Sequence, residues 1–509
     1  MNTRRLAAMD IGTNSIRCIV VEVDHKGGYK VLDDEKSTVR LGEQLATSGA
    51  ISLEASARAL AAVSHFRKLI AGLKVNAVEA IATSAMRNAS NGQALLDALT
   101  VEFGHPIRVI SGEEEAELAM LSAQRHFDME YKRHAVFDIG GGSLEITTAL
   151  GSHIEECYSL DLGAVVMTER FLGHDPARVG DLQKLRRHVR AELKKRVDRS
   201  KVQLHTLIGS GGTVTAIGSM SMSALGKSYA SIHGYEVLRS EVVHLLAMLT
   251  RKSLAERRLV PGLNADRADI IVAGITVVEE LMNFFGANQL LVNERGIREG
   301  LIIKGMEKHG LIPAAPAPRT WRESALDFVR SCHVDEPHSL HVARLALTVF
   351  DGLAAPFNLK KSDRKLLEAA ALLHDVGYFI AYSSHHKHSY HLIRHAELFG
   401  FSPRERELIA QIARYHRKSL PKRKHETFQA LAEGDRRKVE RLGGILRLAD
   451  GLDRRRSSAV QSLSCTFAGT LFTLRLAGSE DMSVEIFGAS SKKDLLEKAF
   501  GLRLVLEVS

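Results

Sequence analysis

The sequence predicts an α/β protein made by duplication, followed by an all-α region and a small α/β tail. Three observations carry this. First, Met9-Asp10-Ile11-Gly12-Thr13-Asn14-Ser15 returns, a domain's length later, as Phe137-Asp138-Ile139-Gly140-Gly141-Gly142-Ser143. Each copy reads as a strand, a tight glycine turn bearing a carboxylate, and a second strand. Second, each copy opens a series of strands that then alternate with helical patterns, the mark of an α/β domain. Third, the periodicity turns almost wholly helical over 321–458, and β alternation resumes at Ser462.

Residues 4–42 hold three predicted strands, the third starting near Tyr29 after a Lys26-Gly27-Gly28 turn. Helical spacing covers Ser52–Ala71, Asn88–Phe103 and Glu113–His126, with strands at Ala77–Thr83 and Pro106–Ile110 between them. The second cycle begins at His134, and its strands run through Leu162. It continues with a helix at Asp181–Val197 and a strand into the loop Ile208-Gly209-Ser210-Gly211-Gly212-Thr213, which opens another helix. Helices follow at Arg239–Leu254 and Arg267–Phe285, then a strand at Leu290–Val292 and a helix from Arg298. Gly310–Pro318, with three of the ten prolines, reads as a linker. The tail carries one helix near Ser491–Ala499. The expected domains are therefore 1–128, 129–310, 321–460 and 461–509.

Composition narrows the function classes. Hydrophobic content of 45% and charged content of 25% are those of an ordinary globular protein. No apolar run is long enough to span a bilayer, and no secretory leader precedes Asp10. Cys18, Cys157, Cys332 and Cys465 are far apart, which argues against a disulfide framework or zinc knuckle and suits a reducing, cytoplasmic setting. The net charge of +9 favours an acidic partner. One Trp and nine Tyr are a poor stacking platform for bases, so neither nucleic acid nor a membrane is expected as that partner.

A small anionic ligand rich in phosphate remains. Glycine turns let backbone amides approach phosphate oxygens, and Thr13, Ser15, Ser143 and Thr213 add hydroxyls. Asp10, Asp138 and Glu145 are candidate ligands for Mg²⁺ or Mn²⁺, hard cations that prefer oxygen. Glu145, seven residues after Asp138, returns on the second strand of the same hairpin. Arg87, in Ala82-Thr83-Ser84-Ala85-Met86-Arg87, lies just past a strand end, where its guanidinium suits a phosphate. Ile110-Ser111-Gly112-Glu113-Glu114-Glu115 places three carboxylates at a helix start. Two of them are ordinary complements to the helix dipole, and one can serve as a general base.

The ordered set MDIGTNS, ATSAMR, ISGEEEA, FDIGGGS and IGSGGT resembles the exopolyphosphatase/guanosine pentaphosphate phosphohydrolase family. Arg267-Ala268-Asp269-Ile270-Ile271 with Gly274, and Glu294-Arg295-Gly296-Ile297-Arg298-Glu299-Gly300, extend the resemblance to roughly residues 1–308. It implies two ribonuclease-H-like domains of the actin/hexokinase/Hsp70 type and a homodimer. It implies hydrolysis of the terminal phosphoanhydride of inorganic polyphosphate, or of the γ-phosphate of guanosine pentaphosphate. By motif position Glu115 matches the catalytic glutamate, with Glu114 as rival, and Asp138 and Glu145 match the metal positions. Arg87, Asp10, Gly12, Thr13, Asn14, Ser15, Gly140, Gly141, Gly142, Ser143, Gly211, Gly212 and Thr213 are the expected phosphate contacts. A non-catalytic polyphosphate or nucleotide sensor is the third reading.

Beyond residue 320, Ala370–Leu373 leads an apolar helix into His374-Asp375, with His341 upstream and Asp450 downstream. This order resembles the HD phosphohydrolase superfamily. The resemblance implies a second divalent metal on His341, His374, Asp375 and Asp450, with His388 and His416 as extra ligands.

Overall fold

The computed structural model describes residues 4–24, 28–129, 133–198, 204, 206–312, 320–478 and 481–508. Most of the expected linker and part of the Lys26–Gly28 turn lie outside these. The chain divides into two compact units, with the break near residue 318.

The first unit holds two sheets with one plan. In the first, β1 (Arg4–Ile11), β2 (Ser15–Val23) and β3 (Tyr29–Thr38) form an antiparallel meander, and β4 (Ala77–Ala82) and β5 (Arg108–Val109) add in parallel, in the order β3-β2-β1-β4-β5. The second repeats it with β6 (Arg133–Ile139), β7 (Leu144–Leu150), β8 (His153–Leu160) and the parallel strand β9 (Thr206–Ser210). Short β10 (Glu236–Leu238) and β11 (Gln289–Val292) complete the order β10-β11-β9-β6-β7-β8. Both turns close with the same bond, Gly12 N to Ser15 O at 3.1 Å and Gly140 N to Ser143 O at 3.0 Å. The duplication read from sequence is thus a duplication of hydrogen-bonding geometry.

Apolar alternation on β1 and β2 fills both faces of the first sheet. Ala7, Met9 and Ile11 pack with Phe66 and Leu99 from the helices Leu53–Gly72 and Gly92–Phe103. Leu6 and Ala8 face the other way, onto Leu301, Ile302 and Met306. Those three belong to the helix Gly296–Lys308, which the sequence assigned to the second domain. Conversely the helix Gly112–His126, expected in the first domain, packs on β6, β7 and β8; its Ala116 carbonyl accepts from Thr147 on β7 at 3.1 Å. The two lobes exchange helices, so the boundary is spatial rather than sequential.

The second unit is a helical bundle made by Trp321–Ser331, Glu336–Ala354, Lys361–Leu373, His385–His395, Pro403–Arg414 and Glu433–Gly451. The tail, β12 (Ser462–Ala468), β13 (Leu471–Ala477) and β14 (Arg503–Val508), carries two short helices, Ser483–Ser490 and Asp494–Phe500, rather than one. Phe472, Leu474, Leu495 and Leu496 share one core with Val342, Leu372 and Leu446. The tail expected as a separate subdomain is continuous with the bundle. Among the described residues no helix is long and apolar enough to cross a membrane.

A buried carboxylate fastens the crossing helix. Glu299 accepts from the Tyr29 hydroxyl and lies 3.1 Å from His126 Nε2, which joins β3, Gly112–His126 and Gly296–Lys308. Burial disfavours its charge, but the bonds from His126 and Tyr29 prevail and hold it down at about 2, against an ordinary 4.5. A depressed carboxyl stabilises the fold above its unfolded value, and that stability is lost as pH falls through the folded one. Glu299→Gln should therefore cost about 2–3 kcal/mol at pH 7. The deficit should shrink as pH falls from 4.5 towards 2, measured by urea melts at each pH.

Candidate active site in the interlobe cleft

The two turns face each other across a cleft in the first unit. Asp10, Gly12, Thr13, Asn14 and Ser15 line it from one lobe; Asp138, Gly140, Gly141, Gly142, Ser143, Gly211 and Gly212 line it from the other. The turns come so close that a Cβ on Gly142 would lie 2.4 Å from Ser84 Oγ and 2.7 Å from Thr13 Oγ1. Gly211, at φ +94°, adopts a backbone conformation that favours glycine and starts the helix Gly212–Ala224 beside the cleft.

The duplicated hairpins differ in one respect that governs the chemistry. In β6 and β7 the residue directly opposite Asp138 is Glu145; in β1 and β2 the residue opposite Asp10 is Arg17. The second hairpin therefore stacks two carboxylates, and the first balances its carboxylate with a cation. Asp138 Oδ2 accepts from Ser210 Oγ at 2.5 Å, and Glu145 Oε1 from Ser159 Oγ at 3.0 Å. Burial pushes Asp138 up, Glu145 to about 8 and Asp10 to about 6. Among the described residues, Asp10 Oδ1 and Glu145 Oε2 are buried with no hydrogen-bond partner. Asp10, Glu115 and Asp138 line the cleft and Glu145 stands opposite Asp138 on the hairpin, oxygen donors of the type that a divalent cation takes.

The three glutamates at the helix start separate cleanly. Ser111 caps the helix by accepting from Glu114 N at 3.1 Å, which fixes its first turn. Glu114 turns out to Arg108 at 3.1 Å, whereas Glu115, 5% exposed, lines the cleft. Burial and then Glu145 push Glu115 well above the usual carboxylate range, with Arg87 opposing. Arg87 is not in the cleft wall: its Nη1 donates to the Ile110 carbonyl at 2.8 Å and to Glu115 Oε2 at 3.2 Å. It holds the glutamate where a phosphate contact was expected. Thr213 is also displaced, buried against Gly274, and Thr215 on the next face of the helix reaches the cleft instead.

Sequence reading gave no role to the cations of the cleft. Arg17, Arg267, Arg295 and Arg298 all line it. Burial and then Arg298 push Arg17 down; burial and then Arg17 push Arg267 down to about 10. Guanidiniums that destabilise one another in a buried pocket are matched by an anion between them. The motifs around Arg267 and Arg298 were visible, but only the fold shows that they converge with β2.

The bundle of the second unit holds a separate histidine–aspartate cluster. His338, His374 and Asp450 form one group, and Asp375, His385 and His416 another. His341 is not in it. It lies one turn further along the same helix, where its Nδ1 faces Arg344 at 3.2 Å; His338 instead lies 3.8 Å from Asp375 and 3.7 Å from Asp450. His385, rather than His388, joins His416 at 3.2 Å.

Residues 19–309 match the Ppx/GppA phosphatase family, and residues 322–485 match its domain III. The chain belongs to this family. Its members are divalent-metal phosphatases, in keeping with the carboxylate pocket. Exopolyphosphatase 2 of Mycobacterium tuberculosis is 32% identical over 318 residues, 60% of this chain and 99% of that protein. The crystal structure of an exopolyphosphatase from Cytophaga hutchinsonii aligns with a TM-score of 0.56 at 28% identity, over 59% of this chain and 98% of that one. An Aquifex aeolicus Ppx/GppA family member aligns with a TM-score of 0.52 at 26% identity, over 60% and 98%. The repeated sheets are the actin/hexokinase-type duplicated fold.

The cleft's cations give a direct test. A Cβ on Gly212 would lie 1.8 Å from Arg267 Cζ, so Gly212→Ala must drive that guanidinium out of place. Gly212→Ala and Arg267→Met should raise KM for a phosphorylated substrate alike, about 10–100-fold for one lost charge-assisted bond. Steady-state kinetics on both variants, with circular dichroism to confirm folding, checks this.

Proposed function

We propose that this chain is an exopolyphosphatase, which hydrolyses the terminal phosphoanhydride of inorganic polyphosphate and releases orthophosphate. The observation that carries the reading is the two-signed cleft. Buried guanidiniums and buried carboxylates line the same cleft, as a polyanion with an accompanying divalent cation requires. The exopolyphosphatases among the relatives support the same reading.

Catalysis then follows from charge. The amides of the Gly12–Ser15 and Gly140–Ser143 turns and the Arg17, Arg267 and Arg298 guanidiniums hold the terminal phosphoryl oxygens. Asp10, Asp138 and Glu145 would hold Mg²⁺, or Mn²⁺, which when bound neutralises phosphoryl charge. Glu115 takes a proton from a water whose oxygen bonds to the terminal phosphorus as the bridging P–O bond breaks. Arg87 keeps Glu115 oriented and favours its charged form. We also place the protein in the cytoplasm, where four separated thiols stay reduced, and as a homodimer.

Glu115→Gln should lower kcat about 10²–10⁴-fold and leave polyphosphate binding in place, while Glu114→Gln stays near the parent rate. Phosphate release from long polyphosphate and from guanosine pentaphosphate, assayed side by side, should favour polyphosphate. A preference for the nucleotide would assign the alternative activity, and release from neither would leave a sensor.

Because Glu115 must be ionised to act and its environment raises it, kcat should climb with pH above the ordinary carboxylate range. Arg87→Met removes the cation that opposes this rise and should move the ascending limb to higher pH. A limb that stays put would remove Arg87 from that role.

A further inference from the structure

Residues directly opposite on antiparallel strands share one face of a sheet, so the duplicated lobes can be compared row by row. In the second lobe the row that starts at the cleft aspartate runs Asp138, Glu145, Ser159 across β6, β7 and β8. It closes on itself, because the Ser159 hydroxyl donates to Glu145 Oε1 at 3.0 Å. In the first lobe the same row runs Asp10, Arg17, Lys36 across β1, β2 and β3. This row ends on two cations side by side.

Like charges set opposite one another destabilise a sheet, so this pair calls for an anion. The carboxylates around it are largely engaged elsewhere. Asp34, two residues before Lys36 on the same strand, pairs with Arg298. Glu35 pairs with His65 Nε2 at 2.6 Å, and Asp269 with Arg40 at 3.0 Å. Burial, then Arg267 and Arg17, push the Lys36 ammonium down to about 8, with Asp266 opposing. Arg267 belongs to the other lobe, so cations from both sides of the cleft act on this one lysine.

Its place in the sheet indicates which anion it would meet. Arg17 and Arg267 line the cleft, whereas Lys36 is exposed one strand further out, on the edge strand β3. Two strand spacings, about 10 Å, separate its backbone from that of Asp10. A phosphoryl group seated at the Gly12–Ser15 turn therefore leaves Lys36 to whatever phosphates follow it. A lysine is a rotatable point charge rather than a fixed fork, which suits a chain that advances by one phosphate after each cleavage.

We propose that Lys36 is a specificity-determining residue that holds the inner phosphates of a linear chain, so that long substrates bind better than short ones. This rests on the exopolyphosphatase reading and adds to it the side from which the chain leaves, over β3. Lys36 only binds: its ammonium donates to non-bridging oxygens, and no bond is made or broken there.

The test is a calorimetric titration of the full chain carrying Glu115→Gln, which should bind without turnover, with pyrophosphate and with long-chain polyphosphate in the presence of Mg²⁺. Lys36→Met should weaken long-chain binding about tenfold, the size of one charge-assisted contact, and leave pyrophosphate binding unchanged. Lys36→Arg should restore long-chain binding. Lys68→Met, which removes an exposed lysine from the helix Leu53–Gly72 of the same lobe, should change neither. With Glu115 in place, Lys36→Met should raise KM for long chains and not lower kcat. Long-chain binding unmoved by Lys36→Met would mean that the lysine only guards a sheet edge against pairing, and would overturn the proposal while leaving the exopolyphosphatase reading intact. Equal weakening of pyrophosphate would put Lys36 on the terminal phosphoryl group and overturn it as well. Binding of neither ligand before Lys36 is changed would instead overturn the reading of the cleft, and this proposal with it.

Discussion

The structure of the first unit is organised around carboxylates and guanidiniums buried together at one cleft. Burial raises the proton affinity of Asp10, Asp138, Glu115 and Glu145, and burial followed by a neighbouring guanidinium lowers that of Arg17 and Arg267. Such an arrangement costs folding stability and persists because the surrounding sheets over-determine it. β1 and β6 are largely buried, and Asp10 and Asp138 lie near their ends. A rigid core here sustains a strained rim.

Duplication supplied the frame, and the two copies diverge at the position facing the aspartate. Two hairpins with the same turn bond and register differ in bearing Arg17 or Glu145 opposite their aspartate. One hairpin thereby sets a cation across from its aspartate, and the other a second carboxylate. Glu115 comes from neither hairpin. It arrives on the helix that the first half lends to the second sheet, which brings its carboxyl to the cleft.

What the sequence made legible follows from range. The turns, the glycine loop and the choice of Asp138 with Glu145 depend on neighbours within one hairpin, and alternation with glycine spacing reveals them. The arginine wall depends on segments far apart in the chain, and no periodicity encodes that meeting. Glu114 and Glu115 both donate a backbone N–H to Ser111, and Arg108 beside one and Arg87 beside the other separate them. His338 and His341 share a helix face, so spacing alone cannot choose; Asp453 beneath one and Arg344 beside the other do. Thr213 and Thr215 differ likewise through the packing of Gly274.

The helix exchange bears on how the chain is made. Leu6 and Met306 belong to one apolar cluster, so the first sheet stays open on that face until almost the whole first unit has left the ribosome. During synthesis the Leu6, Ala8 and Ile81 face is without its cover, a long-range contact of the kind that slows folding and exposes chains to aggregation. The lobes therefore mature together rather than in order. Duplicated genes usually leave two independent folding units; here the swapped helices have made the two halves obligate partners from birth.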